Sequence, residues 1–189
     1  MIPNMPDRRA ASTEASSGPP VEVLIIDNDA PHAEVVAEGL QRVGFSCHIA
    51  TSGTQGARMI EEGQYDVVIT DLVMGDIDGL EILARAKKAL PEAEVILLTG
   101  HGTIPSAVTA MQQGAFNYLL KPLDLGQLRA VTEKAAASAR LRQANVDLQR
   151  RLDERFGFEG VIGDSPQMRD VIEKLKRIAP THASVLIHG

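Results

Sequence analysis

A doubly wound α/β fold with a five-stranded parallel sheet is what this sequence predicts, and three observations point to it. Five short runs of β-forming residues alternate with stretches of helical periodicity between Val21 and about Lys134. The third and fourth runs are almost wholly apolar, as strands covered on both faces must be. The links between runs are short, which requires right-handed crossovers and parallel neighbours. For five strands connected in this way, the order 2-1-3-4-5 is the expected one.

The elements follow in chain order. The strands are read in "VEVLII" (21–26), "FSCHIA" (45–50), "YDVVIT" (65–70), "AEVILLT" (93–99) and "AFNYLL" (115–120). Pro31 falls in the first turn of the first helix, where a missing N–H costs nothing. Val36, Leu40 and Val43 share one helical face; Leu80, Leu83 and Leu90 share another, beside Ile82 and Ala86; Val108 and Met111 lie on a third. Gly44, Gly63 and Gly114 stand where helices should stop. From Leu125 an Ala-rich polar stretch reaches about Arg155 and has no Pro or Gly after Gly126, so an extended C-terminal helix is expected. Beyond it Ser165 reads as an N-cap and Pro166 as a first helical residue. Met168, Val171, Ile172, Leu175 and Ile178 form a stripe, and "SVLIHG" reads as a strand.

Composition limits the possible functions. The chain of 189 residues is 44% hydrophobic and 23% charged, with a formal charge of −6. That supports a sizeable core and argues against a nucleic-acid grip, which needs concentrated Lys and Arg. The single cysteine, Cys47, makes no internal disulfide, as expected in a reducing cytosol, and its alternating run marks it as a small core residue. No run approaches the ~18 apolar residues of a membrane helix, and no apolar region follows "DRR" as a signal peptide would need. Residues 1–20, rich in Pro, Ser, Ala and Gly, read as a disordered leader.

Chemistry in an open parallel sheet collects at the carboxyl ends of the strands. Here the first strand runs into Asp27, Asn28 and Asp29; the third ends in Asp71, the fourth in Thr99, and the fifth in Lys121-Pro122. The topology brings these ends to one rim. Clustered carboxylates repel unless a cation joins them. Mg²⁺ suits one or two carboxylates, retained waters and phosphoryl oxygens. A carboxylate can accept a phosphoryl group, with the metal, an ammonium and a hydroxyl neutralising its charge.

From Glu22 to about Ala136 the chain resembles the receiver domain of two-component response regulators, through "LIIDND", "VVITDLVMGDIDGLE", "VILLTGHG" and "GAFNYLLKPLD" in that order. The resemblance implies a flavodoxin-like sheet, Asp71 as phosphoacceptor, and Mg²⁺ held by Asp27, Asn28, Asp71 and the carbonyl of Val73. It further implies Thr99 as switch hydroxyl, Lys121 as the phosphate-pairing ammonium, Tyr118 as aromatic switch, and a cis Lys121-Pro122 bond. Such a module is not an enzyme beyond its own phosphorylation and dephosphorylation; its partner is a sensor histidine kinase. Two positions depart from the family pattern. Asn28 stands where a second acid is usual, which implies weaker Mg²⁺ binding. Gly75 stands where proline is common, which implies a looser loop. Asp76 and Asp78 read as loop solvation and a helix cap, and His101 as an exposed loop residue.

Leu141, Asn145, Leu148 and Leu152 are spaced as a short heptad seam, with Asn145 favouring a parallel dimer in register. The 125–155 helix is therefore expected to pair in a homodimer. Residues 157–189 resemble the opening of the AAA+ ATPase domain of sigma-54-dependent transcription activators. The chain ends where that family's nucleotide loop begins, so it should bind no ATP, and contacts to sigma-54 RNA polymerase and DNA would come from regions absent here. The expected organisation is a leader (1–20), a receiver (21–136), a linker and dimerisation helix (137–156) and a partial ATPase segment (157–189), in a cytoplasmic protein. Two rivals remain. One is a degenerate receiver that acts only by pairing with proteins. The other is a haloacid-dehalogenase-like phosphatase in which Asp27 is the nucleophile and Asp29 the acid/base, with Thr99, Lys121, Asp164 and Asp170 in later roles.

Overall fold

The structure is a computed structural model that describes residues 20–100, 102–155, 165–178 and 186. The chain divides into two compact units, Met1–Gln143 and Ala144–Gly189. The leader expected over 1–20 lies outside the described residues apart from Pro20, as does the last strand apart from Leu186.

In the first unit the elements are β1 (Glu22–Ile26), α1 (Ala30–Gln41), β2 (Ser46–Ala50), α2 (Gly53–Glu62), β3 (Val67–Asp71), α3 (Gly79–Ala89), β4 (Glu94–Thr99), α4 (Ile104–Gln112), β5 (Asn117–Leu120) and the part up to Gln143 of α5 (Leu125–Arg155). All strand pairs are parallel, in the order β2-β1-β3-β4-β5. Each of the five expected strands is present.

Strand alternation divides the core into two layers. Leu24, Ile26, Val68, Val95 and Leu97 face Ile60 of α2 and Ile82 and Leu83 of α3. Val23, Ile25, Ile69, Ile96 and Leu98 face Val36 and Leu40 of α1 and Leu128 and Ala135 of α5. Sheets buried on both faces explain why the central strands carry no polar alternation.

The helix ends follow their chemistry. Asp29 caps α1, its side chain accepting from the His32 N–H. Ser52 caps α2 and Asp78 caps α3. Thr103 and Ser106 form a capping box on α4. Gly44 and Gly114 follow α1 and α4 with φ of 95° and 89°, a region glycine enters without strain. Cys47 is half-buried and its thiol is pushed up to about 11, first by burial and then by Glu22. That fits a packing role.

Two expectations fail. Val43 lies beyond the end of α1 and is exposed, because the helix stops at Gln41. Val108 and Met111 are about half exposed, at 49% and 50%, and only Ala110 of α4 is buried. Helical spacing of apolar residues marks a face, and here that face is uncovered.

In the second unit, α6 (Pro166–Ile178) begins as expected, with the Met168 N–H donating to Ser165 Oγ at 3.2 Å. No described helix is long and apolar enough to cross a membrane.

Candidate phosphoryl-accepting site

The apolar run of β1 ends at Asp27, whose N–H still donates to the Ala50 carbonyl of β2 at 3.1 Å. Its carboxylate is 1% exposed yet fully engaged. Oδ1 accepts from the Asp29 N–H at 2.9 Å. Oδ2 accepts from Lys121 Nζ at 2.8 Å and lies 2.6 Å from His32 Nδ1. An ionised carboxylate only accepts, so Nδ1 of His32 carries the hydrogen in this contact. Burial alone would raise the Asp27 carboxyl; hydrogen bonds from Lys121, Asp29 and His32 outweigh it and hold the group below its usual range.

Asp71 closes β3 two strands from the sheet edge. Its Oδ2 accepts from the same Lys121 Nζ at 2.8 Å, and its Oδ1 from the Val73 N–H at 3.3 Å. One ammonium therefore spans two carboxylates that are 44 residues apart in sequence. Burial would lower the Lys121 ammonium's affinity for its proton, but hydrogen bonds to Asp27 and then Asp71 raise it above its usual value.

Lys121 is aimed by the end of β5. Its N–H donates to the Thr99 carbonyl at 2.7 Å, and the Lys121-Pro122 bond is cis, as expected. Thr99 is buried at the end of β4, beside the strand that carries Asp71. Asp27, Asp71 and Lys121 thus meet directly; Val73 joins through its N–H and Thr99 through the register of the strands. Asn28 is exposed next to Asp27. Tyr118 is half-buried, and its hydroxyl meets Ser106 Oγ at 2.9 Å rather than the rim.

A hard cation fits this donor set. Asp27 and Asp71 offer ionisable oxygens close enough to share one positive charge. Among the described residues no group of three or more His, Cys, Asp or Glu forms a metal cluster. Mg²⁺ needs none, since it takes one or two carboxylates and keeps its waters.

The phosphatase roles find less support. The Asp29 side chain is occupied in capping α1. Asp170 lies in α6, where it pairs with Lys174 at 2.6 Å, and Asp164 and His101 lie outside the described residues.

Sequence reasoning missed two residues here. His32 is five positions after Asp27, on the first turn of the helix that leaves the same rim, and that spacing was the available signal. Asp76 is exposed, as expected of a solvated loop acid, but its carboxylate also accepts from the Gly53 N–H at 3.0 Å and the Thr54 N–H at 2.7 Å, which no spacing rule anticipates across 22 residues.

A family model described as the response regulator receiver domain matches residues 23–133. Transcriptional regulatory protein ZraR of Klebsiella oxytoca is 33% identical over 173 residues, covering 92% of this chain and 38% of that protein. Transcriptional regulatory protein GlrR of Escherichia coli (strain K12) is 35% identical over 171 residues, covering 90% of this chain and 36% of that protein. The chain thus spans little more than a third of these relatives. The crystal structure of a response regulator receiver domain protein from Clostridium thermocellum superposes with a TM-score of 0.61 at 36% identity, over 64% of this chain and 98% of that one.

Proposed function

Because the chain belongs to the response regulator receiver domain family, we propose that it is a phosphorylation-controlled module that takes a phosphoryl group on Asp71 from a sensor histidine kinase. The observation that carries this reading is the Lys121 ammonium held 2.8 Å from both Asp27 and Asp71.

An Asp71 carboxylate oxygen forms a P–O bond as the P–N bond of a phosphohistidine breaks, and the departing imidazole takes a proton from water. Asp27, Asn28, Asp71 and the Val73 carbonyl would hold Mg²⁺, which when bound would neutralise charge on the transferring group. Lys121 holds the Asp71 carboxylate through its 2.8 Å hydrogen bond and then pairs with the new phosphoryl oxygens. Asp27, buried and ionised, holds its own place through the Asp29 N–H and His32. The Thr99 hydroxyl turns toward the phosphoryl group, and Tyr118 changes its orientation on β5.

Those movements bias the surface of α4, β5 and α5, and with it the pairing of two chains through the 125–155 helix. Leu141 and Leu148 support that pairing: both are exposed, at 66% and 56%, on the 125–155 helix and so are open to a partner. In this reading residues 1–20 are a leader, 21–136 the receiver, 137–156 the linker and 157–189 the opening of an ATPase domain. The parent is then a cytoplasmic sigma-54-dependent transcription activator, meeting RNA polymerase and DNA through other regions.

The experiment is incubation with acetyl phosphate and Mg²⁺, followed by intact mass and sedimentation. Wild type should gain one phosphoryl group and shift its self-association, and Asp71→Asn should do neither. A chain unlabelled at high Mg²⁺ would instead be a degenerate receiver acting by pairing alone.

A further inference from the structure

The loop between β3 and α3, residues 72–78, is fastened at three points. At its start the Val73 N–H donates to Asp71 Oδ1 at 3.3 Å. At its end the Gly79 N–H donates to the Leu72 carbonyl at 2.9 Å; a Cβ on Gly79 would lie 2.4 Å from the Asp71 carbonyl oxygen. Between them, Gly75 meets nothing: a Cβ there has no atom within 4 Å. The remaining anchor is Asp76. Its Oδ1 takes the Gly53 N–H and its Oδ2 the Thr54 N–H, the first two residues of α2. The two backbones touch where they cross, since a Cβ on Gly53 would stand 2.4 Å from the Ile77 carbonyl oxygen.

Helix α2 already has a cap of its own. Ser52 Oγ accepts from the Gln55 N–H at 3.1 Å. The bonds to Asp76 come from outside the helix and satisfy two further N–H groups that no helical carbonyl can reach. They bridge the helix to the loop that bears Val73. Met74 is buried in the core and Ile77 packs against it, and the bonds from Asp76 add the loop's polar tether to α2.

We propose that Asp76 is a positioning residue for the phosphoacceptor, tying the 72–78 loop to α2 so that the Val73 N–H and carbonyl stay fixed beside Asp71. This rests on the reading of Asp71 given above. The expected looseness of the loop is thereby removed by a carboxylate three residues beyond Val73. Groups that orient a metal's ligands without touching the metal control its affinity.

Two substitutions separate positioning from plain helix capping. Asp76→Ala and Ser52→Ala each remove a cap from the same helix end, but only the first cuts the bridge. Both should lower the urea midpoint of the full chain. Titration calorimetry with Mg²⁺ alone should show Asp76→Ala weakened about tenfold, the low end for orienting partners, while Ser52→Ala matches wild type. Acetyl phosphate labelling of Asp71 should need correspondingly more Mg²⁺ in Asp76→Ala. Asp76→Asn, which keeps one carbonyl acceptor, should recover part of the loss. Amide exchange at Val73 should quicken in Asp76→Ala and not in Ser52→Ala. Equal effects of Asp76→Ala and Ser52→Ala on Mg²⁺ affinity and on Val73 exchange would overturn the proposal. If wild type fails to label at Asp71, the functional reading falls, and the exchange at Val73 still decides whether Asp76 holds the loop.

Discussion

The two ends of the sheet each bury a carboxylate, and they treat it in opposite ways. At the amino-terminal end, Glu94 is 1% exposed and is met by three donors, two of them cationic. Ser138 Oγ donates to Oε1 at 2.7 Å, Arg142 lies 3.1 Å from the same atom, and Lys87 Nζ donates to Oε2 at 3.3 Å. At the carboxyl-terminal end, Asp27 and Asp71 share one lysine. The first site is electrostatically closed and binds α5 to β4. The second has one lysine between two acids, which leaves it room for further positive charge. Burial is therefore no guide to function here; the balance of donors against acids is.

Lys121→Met should have the largest effect. It leaves the rim with two acids and no ammonium, and labelling of Asp71 by acetyl phosphate should slow by about 100-fold, the scale of losing one charge-stabilising donor. A slowing under threefold would break the contrast between the two ends.

Glu94→Ala should do the reverse, leaving labelling unchanged and costing stability. Lys87 and Arg142 keep partial access to water, so the loss should be about 2 kcal/mol in urea unfolding, below the roughly 3–5 kcal/mol of a fully buried broken pair. A labelling defect as large as the stability defect would mean that the two ends are coupled.

Adding charge to the rim gives a smaller effect. Asn28→Asp should tighten Mg²⁺ by roughly fivefold, about 1 kcal/mol for one more exposed charge near the metal. Equal affinities would show that Asn28 plays no part in holding it.

The smallest effect is in acid. Asp27 titrates below its ordinary value of 3.8 in the folded chain. A depressed folded value gives stability that is whole above the unfolded value and fades as pH falls through the folded one. Asp27→Asn should therefore flatten part of the fall in urea midpoint between about pH 5 and about pH 3. It flattens only part, because Asp76 is held low as well, first by the Thr54 N–H.

Most of the sheet was legible in the sequence because strands buried on both faces carry a nearly unbroken apolar code. Asp27, Asp71, Thr99 and Lys121 were legible because the topology fixes where strands end, and the motifs then name the chemistry. Three features were not. Asp76 acts across a loop of distant sequence, and such reach leaves no period, while His32 left only its five-residue spacing from Asp27 as a signal. Val108 and Met111 have the spacing of a core face, and spacing cannot tell a covered face from an uncovered one. The Ser106–Tyr118 contact was hidden for the same reason as Asp76: it joins a helix cap to a neighbouring strand, and only the folded register shows it.

The most direct test is a crystal structure of the full chain with Mg²⁺ and beryllofluoride. The fluoride adduct should form on Asp71, with the metal between Asp27 and Asp71 and Lys121 turned from both carboxylates onto the adduct. An adduct on Asp27, or a metal bound away from these two carboxylates, would contradict that assignment.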